Sequence, residues 1–282
     1  MTGSGASTPP DVLSCPVRGC GLPMPWSSRT LLCPRGHAFD VARSGYCNLL
    51  QPQDRKSLHP GDSRESVIAR RRCWERGLGS SLLDAMTELL EPYLGPARRV
   101  LDVGSGDGFL LHELSERLGA EGWGLDISTP AAEAAARAWP AQRWIVANGD
   151  RRIPLLDGVF SAVTSITSRR NAAEFRRVLS ANGALLLVVP APDDLAELRE
   201  ALLGRAVDKD RAASARASLQ DLFEQAEEHT VRSSHELDGA ALADLLQGSY
   251  RGARHSAQHK LAGIRSMTVT VSYQLLLFRP GG

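Results

Sequence analysis

Two groups of residues in this chain have types and spacings that can do chemistry. The first is Cys15, Cys20, Cys33 and His37, near the N-terminus. Cys15 with Cys20, and Cys33 with His37, are short chelating pairs that can each sit on a tight turn. Arg18, Gly19, Arg35 and Gly36 suit such turns, and nearby positive charge favours thiolates. Three sulfurs and one nitrogen make a closed tetrahedral zinc site, in which four protein ligands leave no open position for catalysis. Cys47 is a spare ligand if the wider first pair does not close, and a set of free thiols is the alternative.

The second group lies in VLDVGSGDG, residues 100–108. Here Asp102 is followed by Gly104, Ser105, Gly106 and Gly108, and a second acid, Asp126, comes 24 residues after the first. Glycines let a backbone turn tightly and approach a ligand without a Cβ in the way. A helix starting just after them offers unpaired amides. A carboxylate ending the next strand can accept both hydroxyls of a ribose. A turn with no ligand is the bland alternative.

These residues need a scaffold, and the pattern from Arg98 onward supplies one. RVLDVGS is an apolar run ending in glycines, and FLLHELSERLG has helical periodicity. WGLDIS reads as a short strand, and PAAEAAARAWP as a helix with Pro130 in its first turn. RWIVAN, VFSAVTSI and GALLLVVP read as strands, with a helix over NAAEFRRVLS and another from about Asp193 to Arg205. This alternation predicts an α/β fold, a parallel sheet with helices on both faces. EEHTVRSSHEL and SMTVTVSYQLLLF flank the helical DGAALADLLQG, so an antiparallel strand pair closes the sheet. VDKDRAASARASLQ is either a loop or a helix.

Residues 65–94 are helical in pattern, broken at Gly77 and Gly79. The stretch from 11 to about 50 has little apolar periodicity and needs a staple if it is ordered. Bound zinc can supply that folding energy. The layout expected is therefore a tail over 1–10, a zinc-binding module over 11–53, a helical linker over 54–96 and a cofactor domain over 97–282.

Composition narrows the partners. No run of about 18 apolar residues is present, which excludes a membrane-spanning helix. MTGSGASTPP lacks the basic flank and apolar core of a secretory signal, so a cytoplasmic protein is expected. Residues 1–80 carry eleven Lys/Arg against six Asp/Glu, while the remainder is acidic. A basic front end points to an anionic partner such as nucleic acid, or to nothing more than a solvated face.

The D-x-G-x-G-x-G spacing resembles motif I of the class I S-adenosylmethionine (SAM) methyltransferases, not the G-x-G-x-x-G of nicotinamide sites. The resemblance implies a Rossmann-like sheet with SAM lying along Gly104, Ser105, Gly106 and Gly108. Asp102 would then hold the amino group of the methionine moiety, and Asp126, with Ile127 beside it, the ribose. Asn148, at the end of the third strand, would accept the adenine amine through its amide oxygen.

A longer string narrows the resemblance. CPRGHAFDVARSGYCNLL, then HPGDSRESVIARRRCWERG, then the SAM motifs are similar to the RlmA/TlrB family of 23S rRNA (guanine-N1)-methyltransferases. Members share Cys33, His37, Phe39, Asp40, Ala42, Arg43, Gly45, Tyr46, Asn48, Leu49 and Leu50, then Gly61-Asp62-Ser63 and Ala69-Arg70-Arg71. The family implies methyl transfer to N1 of a guanine in a 23S rRNA hairpin loop, in some members with macrolide resistance of the tylosin type. It also implies a structural zinc and a homodimer whose RNA cleft is built partly from the zinc modules. Arg18, Arg35, Arg43, Arg55, Lys56 and the Arg70–Arg72 run are the candidate phosphate contacts. Where members have an Ala-Pro pair after the fourth strand, this chain reads SITSRRN.

Guanine N1 carries a proton, so transfer needs a base or a water. Asp150 is the candidate base, and Arg170 can stabilise the charge developing on O6. Trp74, Tyr46 and Tyr250 are candidate stacking partners for an extruded base, or packing residues. A small-molecule methyltransferase with a zinc-stapled cap, or a SAM- or RNA-binding relative without catalysis, are the competing readings.

Overall fold

A computed structural model describes residues 12–55, 60–204, 210–249, 260–261 and 263–281. The expected tail, Lys56 and Tyr250 lie outside the described residues. The described residues open with two short antiparallel pairs, β1 (Leu13–Ser14) with β2 (Pro23–Met24), and β3 (Thr30–Leu32) with β4 (Ala38–Asp40). Then come β5 (Tyr46–Asn48), α1 (Arg64–Glu75) and α2 (Ser80–Leu90). Ser63 caps α1 by accepting the Ser66 amide at 3.3 Å, and the break between α1 and α2 contains Gly77 at φ 84°.

The alternating half follows as β6 (Arg99–Val103), α3 (Phe109–Leu118), β7 (Glu121–Asp126), α4 (Thr129–Ala138), β8 (Arg143–Val146), β9 (Phe160–Ile166), α5 (Ala172–Val178) and β10 (Leu179–Pro190). α6 (Ala196–Leu203), α7 (Arg211–Ala217), β11 (Phe223–Asp238), α8 (Gly239–Ser249) and β12 (Ser266–Pro280) complete it. The segment left open between loop and helix is thus helical over α7.

Among the described residues one eight-stranded sheet runs in the order β11-β12-β10-β9-β6-β7-β8-β5. It is parallel from β5 through β10, with β12 and β11 antiparallel at the far edge. Strands β6 to β10 are buried on both faces, which is why they read as continuous apolar runs. One face packs Leu82, Met86, Leu111 and Ala135 from α2, α3 and α4. The other packs Phe175 and Val178 of α5 and Ala212 and Ala215 of α7, together with Leu13, Met24 and Leu31 of the N-terminal ribbon.

Strand order reverses between β6 and β9, and the crevice of a doubly wound sheet opens at such a switch point. No helix among the described residues is long and apolar enough to cross a membrane.

Candidate active site and metal centre

The four N-terminal ligand candidates come from two loops folded alike. After β1, Cys20 N donates to Val17 O at 2.9 Å and Cys15 N to Leu22 O at 2.9 Å. After β3, Cys33 N donates to His37 O and Gly36 N to Cys33 O, both at 2.8 Å. Gly19 and Gly36 stand at φ 76° and 84°, which a β-carbon would strain. Cys15 Sγ lies 3.3 Å from His37 Nδ1, and Cys20 Sγ lies 3.4 Å from Cys33 Sγ. All four ligand atoms fall within 4.8 Å of one another. Ligands about 2.3 Å from a tetrahedral zinc would be roughly 3.8 Å apart, so the cluster has the right size and donor set.

Burial pushes the Cys15 thiol up to about 12, while the Leu22 amide holds Cys20 down at about 6. A dication offsets the first and exploits the second. Cys47 takes no part: it is buried in β5, and its thiol faces Asp40 O at 3.8 Å.

The ribbon is fastened to the sheet. β5 pairs in parallel with β8, Ser14 N donates to Pro154 O at 3.0 Å, and Leu156 N donates to Val12 O at 2.8 Å. Its exit reaches the crevice, where Asp54 O accepts Asn148 Nδ2 at 2.8 Å.

The crevice has a volume of about 1150 Å³ and is lined on one side by the ends of β6, β7 and β8. Gly104 N and Ser105 N donate to Leu125 O at 2.7 and 3.1 Å, tying the glycine loop to β7. Asp126 accepts Gly106 N at 2.9 Å on one oxygen and Ser128 N at 2.8 Å on the other. Asp102 is buried and accepts only the Thr164 hydroxyl, at 2.7 Å, among the described residues. Burial pushes its carboxyl up to about 7, and Asp126 is raised too, by burial first. Two acids in one crevice, Asp102 buried and Asp126 half-buried, therefore disfavour their own charge unless a cation joins them. SAM, with an ammonium and a sulfonium, fits that need.

The glycines divide by purpose. A Cβ on Gly104 would run into the Ser168 side chain, and one on Gly106 would lie 3.3 Å from Arg70 Nη1. Gly108 is different, because its Cβ would enter the Trp144 ring beneath the loop. It permits close packing rather than close approach to a ligand. Ile127 and Asn148 also line the crevice. The Asn148 amide oxygen already accepts Asp150 N at 3.1 Å, leaving one lone-pair direction for a ligand.

Asp150 and Arg170 both reach the crevice wall. Asp150 is ion-paired with Arg169 at 3.0 Å, and its carbonyl accepts Asn171 Nδ2 at 3.0 Å. Arg170 is half-buried, and burial pulls its guanidinium below the usual value. Trp74 lines the crevice, whereas Tyr46 packs against the core beside α4 and is not part of the wall.

The arginines expected to meet phosphates separate into two sets. Arg18, Arg35, Arg43 and Arg55 are exposed. Arg70, Arg71 and Arg72 bind acids of the protein itself: Asp62 at 2.7 Å, Asp107 at 2.7 Å and Asp244 at 3.3 Å. Arg70 also donates to Gly248 O at 2.9 Å, and Asp62 O accepts the Ser128 hydroxyl at 2.7 Å. α1 thereby roofs the crevice. Sequence reasoning missed this role, although Gly-Asp-Ser before an Ala-Arg-Arg helix was its visible trace.

Comparison with known proteins agrees with the geometry. Residues 13–58 match the family described as RlmA, N-terminal, and residues 100–183 match the methyltransferase domain family. The chain is 35% identical over 281 residues to the 23S rRNA (guanine(748)-N(1))-methyltransferase of Streptomyces fradiae, covering 93% of this chain and 95% of that one. A Micromonospora griseorubida protein provisionally assigned as a 23S rRNA (guanine-N1)-methyltransferase is 33% identical, covering 95% and 97%. Among solved structures, a SAM-dependent methyltransferase from Thiobacillus denitrificans bound to S-adenosyl-L-homocysteine aligns with TM-score 0.44 at 16% identity, over 71% of this chain and 90% of that one.

Proposed function

The chain belongs to the RlmA/TlrB family of 23S rRNA (guanine-N1)-methyltransferases, and on that footing we propose how its residues divide the work and that its guanine lies in a hairpin loop. It is a SAM-dependent enzyme that methylates N1 of a guanine in 23S rRNA, and it takes a structural zinc. The observation that carries the assignment of roles is the pair of acids in the crevice, buried Asp102 and half-buried Asp126, on either side of the glycine loop, both raised by burial.

SAM supplies a methyl carbon made electrophilic by its sulfonium. Asp102 holds the ammonium of the methionine moiety, and Asp126 accepts the ribose hydroxyls beside Ile127. Gly104, Ser105 and Gly106 let the cofactor lie against the backbone, and Asn148 accepts the adenine amine. Alignment and exclusion of water supply most of the catalysis in such a displacement. α1 roofs the crevice for that purpose, held by Arg70 and Arg71. Arg170 stabilises charge developing on guanine O6. Cys15, Cys20, Cys33 and His37 hold the zinc, which keeps β5 and the ribbon on the sheet.

The exposed Arg18, Arg35, Arg43 and Arg55 support an RNA surface on the ribbon, since phosphate contacts need cations. We read the assembly as a cytoplasmic homodimer in which two such ribbons line the RNA cleft, with tylosin-type macrolide resistance as the consequence to test. The test uses tritiated SAM and 23S rRNA from a strain lacking the enzyme. Label in 23S rRNA, with a reverse-transcription stop at one hairpin-loop guanine, is expected. A protein that binds SAM but labels no RNA would refute the substrate.

A further inference from the structure

The acceptor side of the crevice, beyond β9, holds a carboxylate with no role so far. After β10 the chain turns through residues 191–195, and Asp194 lines the crevice together with Tyr273. Its Oδ1 accepts Ser272 N at 3.0 Å, and its own amide donates to Ala191 O at 3.1 Å. Oδ2 has no donor among the described residues. The next residue, Leu195, is held at φ 51° with its amide on Thr270 O at 2.7 Å. A leucine in the left-handed region is strained, so the neighbouring strands fix this turn.

The groups around Asp194 come from every element packed on it. Arg199 of α6 and Arg211 of α7 favour its charge, and Asp193 of its own turn opposes it. Asp193 is itself paired with Arg232 of β11 at 3.2 Å, and Tyr273 of β12 is raised by burial and by Asp194. Asp150, by contrast, stands at the end of β8, on the cofactor side of the switch point, and is already paired with Arg169.

We propose that Asp194 binds the N1–N2 edge of the guanine and removes the N1 proton as the methyl arrives. This assignment rests on the substrate reading above. A carboxylate can accept N1–H and an N2–H together, which orients the base as well as activating it. As the proton passes to Oδ2, the N1 electron pair forms the N–CH₃ bond and the S–CH₃ pair returns to sulfur. The products are N1-methylguanine, S-adenosylhomocysteine and a neutral Asp194 that then loses its proton to water. Burial pushes Asp194 up to about 6, close to the range in which a general base serves near neutral pH.

The test compares wild type with Asp194→Asn and Asp194→Glu on undermethylated 23S rRNA. The amide oxygen of Asn can still accept Ser272 N, so the turn survives. SAM affinity, measured by calorimetry, should stay at the wild-type value, which also shows that each variant is folded. kcat should fall on the order of 10²-fold or more in the Asn variant and partly recover in the Glu variant. At saturating SAM the wild-type kcat should fall as pH drops through about 6, and Asn should remove that acid limb. If Asn does not fold, a displaced acid limb in the Glu variant supports the assignment and an unmoved limb overturns it. A labelled wild type with an unaffected Asn variant overturns this assignment alone. No label with wild type overturns the substrate reading, and this assignment with it.

Discussion

The two halves of the crevice are built from different materials. The cofactor half, over β6 to β8, sets its acids on a backbone frame: glycines at positive φ, amides that orient Asp126, and the Leu125 carbonyl of β7 holding the loop. The acceptor half, over β9 to β12, is made of side chains on turns that glycine does not relieve, with Thr167 at φ 52° and Leu195 at φ 51°. A frame set by backbone suits a cofactor that every member of a fold family binds. Side chains on strained turns can be exchanged one at a time, which suits a target that differs between enzymes. The ribbon braces the first half through β5 and Asp54.

The most severe way to break this contrast is to remove the brace. Cys33→Ser should lose the zinc, about one per chain by metal analysis, and with it a folding contribution that reaches about 10 kcal/mol in small zinc modules. Because Asp54 and β5 support the β8 end, SAM affinity should fall as well. Chelation of wild type should do the same. Zinc loss with unchanged SAM binding would mean that the ribbon serves RNA alone.

Asp126→Ala strikes the cofactor half directly. It leaves Gly106 N and Ser128 N without their acceptor and removes the ribose contact proposed for it. Hydrogen bonds to charged groups contribute roughly 1.5–3 kcal/mol each, so SAM affinity should fall on the order of 100-fold by calorimetry. Arg170→Ala should leave that affinity alone and lower kcat. Equal effects of the two variants on SAM affinity would erase the division between the halves.

The same division explains what could be read from sequence. Asp102, Gly104, Gly106 and Asp126 declare themselves by spacing along one strand and loop, and the ligand cluster by two short chelating pairs. The strand–helix alternation was legible for the same reason, since each element carries its own period. Contacts set by tertiary folding were not. β5 is three residues long and joins the sheet only because β8 lies beside it. Gly108 looks like its neighbours in the loop, yet it answers to Trp144, far along the chain. Arg70 and Arg71 read as part of a basic run until their acids, Asp62 and Asp107, are seen.

A pH titration sharpens the comparison more gently. Asp102 is raised to about 7 by burial, so in the ligand-free protein it is largely protonated at mild acid pH. In the role proposed for Asp102, binding the methionine ammonium must expel that proton. SAM affinity should therefore weaken by up to about tenfold per pH unit below about 7, and level off above it. For stability the sign is opposite: a raised carboxyl favours the fold at low pH, and that contribution is lost as pH rises through about 7. Ligand-free protein should lose stability over that range, and the SAM complex less so. Asp102→Asn should flatten both profiles, while Arg170→Ala should leave them in place.

The smallest effect belongs to the acceptor half. Thr167 is exposed, so its side chain contributes little burial, and its amide bond to Val188 O at 2.9 Å would survive substitution. A non-glycine residue at such a φ costs about 1–3 kcal/mol, and glycine adds back about 0.5–1 kcal/mol of unfolded-state entropy. Thr167→Gly should thus stabilise the fold by about 1 kcal/mol, seen as a higher urea midpoint. Relief of strain also frees the turn that carries Ser168, Arg169 and Arg170 into the crevice, so kcat should decline while SAM affinity holds. A stabilised variant with undiminished kcat would show that the strain at Thr167 is incidental to positioning. A destabilised one would show that the turn depends on the threonine itself.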